Sequence, residues 1–186
     1  MKRVLRYVKG TLEYGLTYRY SDEFPLTGYS DADWAGDETT RKSMSGYTFK
    51  LGECTISWGS KKQSMVALST TEAEYIALSL ACQEAVWLRN LLADIQLEQA
   101  VTTIHEDNQG AIALSKNPTS HSRTKHIDIK YHYVRDLITR NEINVIYCPS
   151  NNMIADLFTK GLPRIQYEQL RGPYGCASYR KLDGTL

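Results

Sequence analysis

Gly28-Tyr29-Ser30-Asp31-Ala32-Asp33-Trp34-Ala35-Gly36 carries two carboxylates on alternate positions of a stretch that begins β-prone, with Leu26 and Tyr29. Alternation along a strand puts Asp31 and Asp33 on one face and Ser30, Ala32 and Trp34 on the other. Acids seldom sit inside a strand with aromatic flanks, because an unpaired buried charge is costly. Two readings follow: an edge strand with a solvated face, or acids that point at a cation. Three carboxylates further along bear on the choice: Glu74, Asp107 and Asp156.

Outward from this stretch, 26–34 is the first of three strand candidates, followed by 45–51 and 54–59. Leu51-Gly52-Glu53 suits a tight hairpin between the last two. Trp58-Gly59-Ser60-Lys61-Lys62-Gln63 reads as a basic turn that closes the meander. Residues 70–95 form the clearest helix, with Ala73, Ile76, Ala77, Leu80, Trp87, Leu88, Leu91 and Ile95 on one stripe. Trp58 and Trp87 read as core aromatics. A β run from Val101 to His105 ends at Glu106-Asp107-Asn108, and a helix over 110–116 stops at Asn117-Pro118. Helical spacing returns over 125–140, then Ile143 to Tyr147 is a strand, and Asn152 caps a short helix holding Asp156. The order β-β-β-α-β-α-α-β-α implies a mixed sheet with helices packed on it.

Upstream, 2–9 is a short basic helix closed by Gly10, and 12–20 alternates loosely as a strand or hairpin arm. Ser21-Asp22-Glu23-Phe24-Pro25 is a breaker that marks the start of the main domain. The polar tail after Pro163 carries no usable motif. At 186 residues, 42% hydrophobic and 23% charged, the chain has the make-up of one globular domain. No apolar run approaches the roughly 18 residues of a membrane span, and no secretory signal stands at the start. A formal charge of +1 means that any nucleic-acid contact comes from local patches. Cys54, Cys82, Cys148 and Cys176 form no close ligand pair and read as reduced thiols of an intracellular protein.

Each acid has a bland role available. Glu72 and Glu74 stand three residues after Ser69 and Thr71, the spacing of a capping box. Asp107 or Asn108 could cap the next helix, and Asp156 lies in a first turn, where the helix dipole favours an anion. Jointly they say more, since strand ends and neighbouring helix starts in a mixed sheet converge on one crevice. Two carboxylates about 4 Å apart repel by roughly 4 kcal/mol at an effective dielectric near 20. Such a cluster needs cations, and an all-oxygen shell suits magnesium or manganese. The chemistry implied is metal-dependent phosphodiester hydrolysis.

Tyr-Ser-Asp-Ala-Asp-Trp-Ala-Gly (29–36), Ser-Thr-Thr-Glu-Ala-Glu-Tyr (69–75), Glu-Asp-Asn-Gln-Gly-Ala (106–111) and Ala-Asp-Leu-Phe-Thr-Lys (155–160) together resemble the ribonuclease H domain of copia-type (Ty1/copia) LTR retrotransposon Pol polyproteins. Thr40-Arg41-Lys42-Ser43, the 58–63 run and Arg123-Thr124-Lys125-His126-Ile127-Asp128 extend the likeness, which covers about 26–163. Residues 1–25 resemble the tail of the reverse transcriptase connection, with 164–186 left as a C-terminal tail. The resemblance implies an α/β, ribonuclease H-like fold: a mixed five-stranded sheet, three antiparallel strands then parallel ones, with helices on both faces. It implies an endonuclease that hydrolyses the RNA strand of RNA/DNA hybrids during reverse transcription, with two Mg2+ ions (Mn2+ as a substitute) held by Asp31, Glu74, Asp107 and Asp156. Asp33 and Glu72 are then structural neighbours, kept as the alternatives to Asp31 and Glu74. Many ribonucleases H carry a histidine in the loop after the last strand; here that loop is Cys148-Pro149-Ser150-Asn151-Asn152.

Lys61, Lys62, Lys125 and Arg135 are candidates for hybrid phosphates, and Ser43, Ser45, Asn108 and Gln109 for sensing the 2′-hydroxyl or groove shape. Expected partners are the hybrid and the reverse transcriptase domain of the same polyprotein, with no membrane and no small-molecule cofactor. The expected location is a cytoplasmic retroelement particle, with the nucleus as the alternative. The competing reading is a catalytically inactive hybrid-binding or scaffold remnant.

Overall fold

The computed structural model describes residues 2–19, 21–117 and 125–178, with side chains in the last segment described from 128 onward. In chain order the elements are α1 (Lys2–Gly10), β1 (Tyr14–Leu16), β2 (Leu26–Asp33), β3 (Met44–Leu51), β4 (Cys54–Lys62), α2 (Thr70–Asp94), β5 (Thr102–Glu106), α3 (Gln109–Lys116), α4 (Lys125–Thr139) and β6 (Ile143–Tyr147). Two 3-10 turns follow, Ser150–Asn152 and Ile154–Phe158, then α5 (Arg164–Arg171) and β7 (Cys176–Ser178).

Five strands form one sheet in the order β4-β3-β2-β5-β6. β2, β3 and β4 are antiparallel neighbours, whereas β2–β5 and β5–β6 are parallel. This is the mixed sheet expected. The hairpin between β3 and β4 turns on Gly52, whose φ of 58° favours glycine, and pairs Leu51 with Cys54. Parallel pairing needs long crossovers. α2 supplies the first, and α3 with α4 the second.

α2, α3 and α4 share a core with the sheet, built around Phe49, Tyr75, Leu78, Ile104, Val134 and Val145. On the sheet's other face Tyr29 packs on Met153 and Ala155 of the 3-10 segment. Alternation along β2 produces this division: Leu26 and Ala32 turn towards α2, while Tyr29 turns towards the 3-10 turns.

Several expectations are corrected. β2 is a central strand and Asp31 is 0% exposed, so the reading of a solvated edge is excluded. β4 runs on to Lys62, which places Lys61 and Lys62 on a strand rather than in a turn. The short helix with Asp156 is a 3-10 turn preceded by Met153, with no side-chain cap from Asn152, and α5 follows it. Trp58 and Trp87 are 49% and 57% exposed rather than core. Trp58 lies on the outer strand β4 and meets Tyr174 edge-on. The stripe on α2 is likewise broader than one face: residues 73–79 are all buried, whereas Leu91 and Ile95 are exposed. Sheet and α4 enclose the first half of α2 from two sides, so one apolar stripe does not describe it.

Beyond the sheet, β1 pairs antiparallel with β7, joining the two flanks of the chain. Arg171 lies 4.0 Å from the Tyr14 ring centroid, and the hydroxyls of Tyr7 and Tyr167 are 2.7 Å apart. Among the described residues no helix is long and apolar enough to cross a membrane.

Candidate active site

Asp31 projects from the central strand β2, where Gly46 of β3 pairs with it on one side. Glu74 comes from the first turns of α2, and Asp107 follows the last residue of β5. These three acids each offer an oxygen within 4.8 Å of the others. Asp156 reaches the same place from the 3-10 turn: Lys160 Nζ lies 2.9 Å from Asp31 Oδ1 and 2.8 Å from Asp156 Oδ1. The Thr159 hydroxyl donates to Asp31 Oδ2. Four carboxylates from four separate elements therefore share one locus.

The alternatives beside each acid are used otherwise. Glu72 makes the cap: its Oε2 accepts from Leu68 N at 2.8 Å, and its own N–H donates to Ser69 Oγ at 3.1 Å. Asp33 lies against the backbone of Gly36 in the turn after β2. Neither belongs to the cluster of Asp31, Glu74 and Asp107.

Electrostatics mark the locus as short of positive charge. Burial, then the charges of Glu106, Asp31 and Asp107, push the Glu74 carboxyl far above its ordinary range. Glu74 Oε2 is buried with no hydrogen-bond partner. Burial and then Asp31 raise Asp156 to about 6, against the pull of Lys160. Among the described residues Lys160 is the one cation paired with these acids, and it serves Asp31 and Asp156 alone. Repulsion of roughly 4 kcal/mol per close pair at an effective dielectric near 20 exceeds what one lysine at the far side offsets. Either Glu74 keeps its proton or a divalent cation enters. The all-oxygen donor set and the orphaned Glu74 oxygen fit such an ion.

One acid, a hydroxyl and a lysine of the site escape a reading of the sequence. Glu106, fully buried at the end of β5, is pushed well above the ordinary carboxylate range, mainly by burial, while Asn108 N–H donates to its Oε1 at 3.2 Å. Ser150 Oγ donates to Asp107 Oδ2 at 2.7 Å, from the loop that lacks a histidine. Lys160 was visible as the end of the 155–160 motif, four residues after Asp156, without a role attached.

The residues considered for substrate contact scatter. Ser43 is buried and its Oγ accepts from Ala35 N at 3.1 Å, so it is spent inside the protein. Ser45 Oγ accepts from Gln63 Nε2 at 2.9 Å on the floor of a cleft lined also by Lys61, Lys62 and Lys130. Lys62 is ion-paired with Asp37. Asn108 caps α3, accepting from Ala111 N at 2.9 Å, and Gln109 beside it is exposed. Arg135 Nε donates to Leu114 O at 3.1 Å, tying α4 to α3. The side chain of Lys125 lies outside the described residues.

No protein-family model matches the chain. Among known proteins it is 45% identical over 178 residues to the retrovirus-related Pol polyprotein from transposon TNT 1-94 of Nicotiana tabacum, covering 96% of this chain and 13% of that one. It is 38% identical over 176 residues to the Pol polyprotein from transposon RE2 of Arabidopsis thaliana, covering 94% and 12%. The chain is a homologue of copia-type Pol polyproteins. It spans about an eighth of the length of these Pol relatives. The solved structures it resembles show the chain's fold. LC11-RNase H1, isolated from compost, superposes with a TM-score of 0.56 at 14% identity, over 73% of this chain and 92% of that one. The N-terminal RNase H domain of Rv2228c from Mycobacterium tuberculosis gives 0.54 at 13% identity, over 81% and 96%. The chain therefore has the ribonuclease H fold.

Proposed function

We propose that this chain is a ribonuclease H, an endonuclease that hydrolyses the RNA strand of RNA/DNA hybrids in a retroelement polyprotein. The observation that carries the reading is the convergence of Asp31, Glu74 and Asp107, with Asp156 joined through Lys160. Asp31, Glu74, Asp107 and Asp156 would hold two divalent cations, Mg2+ with Mn2+ as a substitute. Bound there, such ions supply an activated water and stabilise charge on the scissile phosphate and leaving oxygen.

The protein's own part is to preset the ligands. Asp31 is fixed by β2 and by the Thr159 hydroxyl, and Asp107 is oriented by Ser150. Holding these oxygens before substrate arrives removes reorganisation from the chemical step. Glu74 would give up its proton to a cation held there. The cleft with Lys61, Lys62 and Lys130 offers phosphate contacts beside the sheet. One solved neighbour, LC11-RNase H1, has been determined in complex with RNA/DNA hybrid, which supports the same substrate class here. Residues 26–163 are the proposed nuclease domain, working beside the reverse transcriptase of the same polyprotein.

Selectivity tests the reading. The whole chain with Mg2+ should cleave labelled RNA annealed to DNA, leave single-stranded RNA and duplex DNA intact, and stop on chelation. Equal cleavage of single-stranded RNA would contradict it. Hybrid binding without turnover across Mg2+ and Mn2+ titrations would favour the scaffold reading instead.

A further inference from the structure

The acids fall into two groups that share Asp31. Asp31, Glu74 and Asp107 each present an oxygen to a common point. Asp31 and Asp156 are instead bridged by Lys160, with Nζ at 2.9 and 2.8 Å from their Oδ1 atoms. We propose that Lys160 is a positioning residue, a tethered counter-ion that holds the Asp31–Asp156 side of the site and must withdraw before a divalent cation can use it. The two cation positions are therefore unequal, the Asp31–Glu74–Asp107 position filling first. This inference rests on the divalent-cation reading of the site.

Two observations and the chemistry of the two cations carry it. The carboxylates are 0% and 4% exposed while the lysine side chain is 35% exposed, so the lysine borders solvent where the two acids do not. Its stem is flexible, and an ammonium is a compact charge that water readily takes back. A divalent ion on those same oxygens would sit within a few ångströms of the ammonium, where like charges repel strongly. Lys160 and the ion are thus alternatives on the same atoms. Meanwhile Thr159, the residue before it, keeps its hydroxyl on Asp31 Oδ2, so the backbone stays anchored when the lysine leaves.

Mn2+ binding to the whole chain, counted by electron paramagnetic resonance and titrated by calorimetry, tests this without any turnover. The wild type should bind one ion tightly and a second at least about tenfold more weakly, a gap of about 1.4 kcal/mol. Lys160→Met should bring the second affinity to within about threefold of the first, and Lys160→Arg should keep the gap. Metal-free Lys160→Met should melt lower than the wild type and recover with Mn2+. Lys160→Gln, neutral but still a donor, serves as the second variant if the methionine chain does not fold. Identical pairs of affinities in wild type and the neutral variants would overturn the lysine's role and leave the metal reading standing. No Mn2+ binding by any of them would overturn both.

Discussion

At the scale of single residues, the site is defined by charge brought together before it is neutralised. Asp156 gives a pH signature. Its folded value of about 6 lies above the ordinary 3.8, because burial and then Asp31 disfavour the anion. The folded state therefore holds this proton where the unfolded state has lost it. Stability from this group is full below about pH 4 and declines as pH climbs to about 6. Metal-free wild type should thus lose melting temperature relative to Asp156→Asn across that window, and apparent Mn2+ affinity should rise over it as the ion displaces the proton. A flat difference between the two melting curves would remove Asp156 from the coupled cluster. The four acids could be singled out in the sequence because they stand inside distinctive local motifs. Lys160 stands in one of those motifs, but its bond to Asp31 spans 129 residues and leaves no local trace. Glu106 was hidden by its neighbour Asp107: only the position of β5 inside the sheet tells that it is buried.

At the scale of elements, Gly46 is where sheet and site meet. It pairs with Asp31 across the β2–β3 ladder. A Cβ there would meet Thr159 Cγ2 at 2.6 Å, Phe158 Cβ at 3.0 Å and Ala155 O at 3.1 Å. The absent side chain thus lets the 3-10 segment lie flat on β3 and deliver Asp156, Thr159 and Lys160. Gly46→Ala should cost about 1–3 kcal/mol of stability by overpacking and weaken Mn2+ binding in the same protein. Unchanged melting and Mn2+ affinity would refute this tight fit. Element order was legible because strand alternation and helix periodicity are local. The face of α2 was less so: its early turns are enclosed by sheet and helix alike, and nothing within 70–95 announces two partners. Trp87 filled the apolar pattern yet lies outside, since the pattern cannot tell a packed face from one left bare.

At the scale of the whole molecule, the chain's two flanks support the site from behind. Tyr174, in the turn before β7, meets Trp58 of β4 and Phe158 of the Asp156 turn edge-on, with centroids at 6.3 and 5.5 Å. Tyr174→Ala should lower stability by about 1–2 kcal/mol and weaken Mn2+ binding through Phe158, read by melting and titration. Loss of stability with unaltered metal affinity would confine the tail to a structural role. The β1–β7 pairing was illegible because each strand has three residues and the partners lie at opposite ends of the chain.

Single-turnover cleavage of end-labelled RNA in an RNA/DNA hybrid, by the whole chain and by Asp31→Asn, Glu74→Gln, Asp107→Asn and Asp156→Asn, tests the central claim most directly. The wild type should cut in Mg2+ and each variant should fall by about 100-fold or more while still melting cooperatively. A folded Asp31→Asn or Asp107→Asn chain that cuts at the wild-type rate would contradict the account.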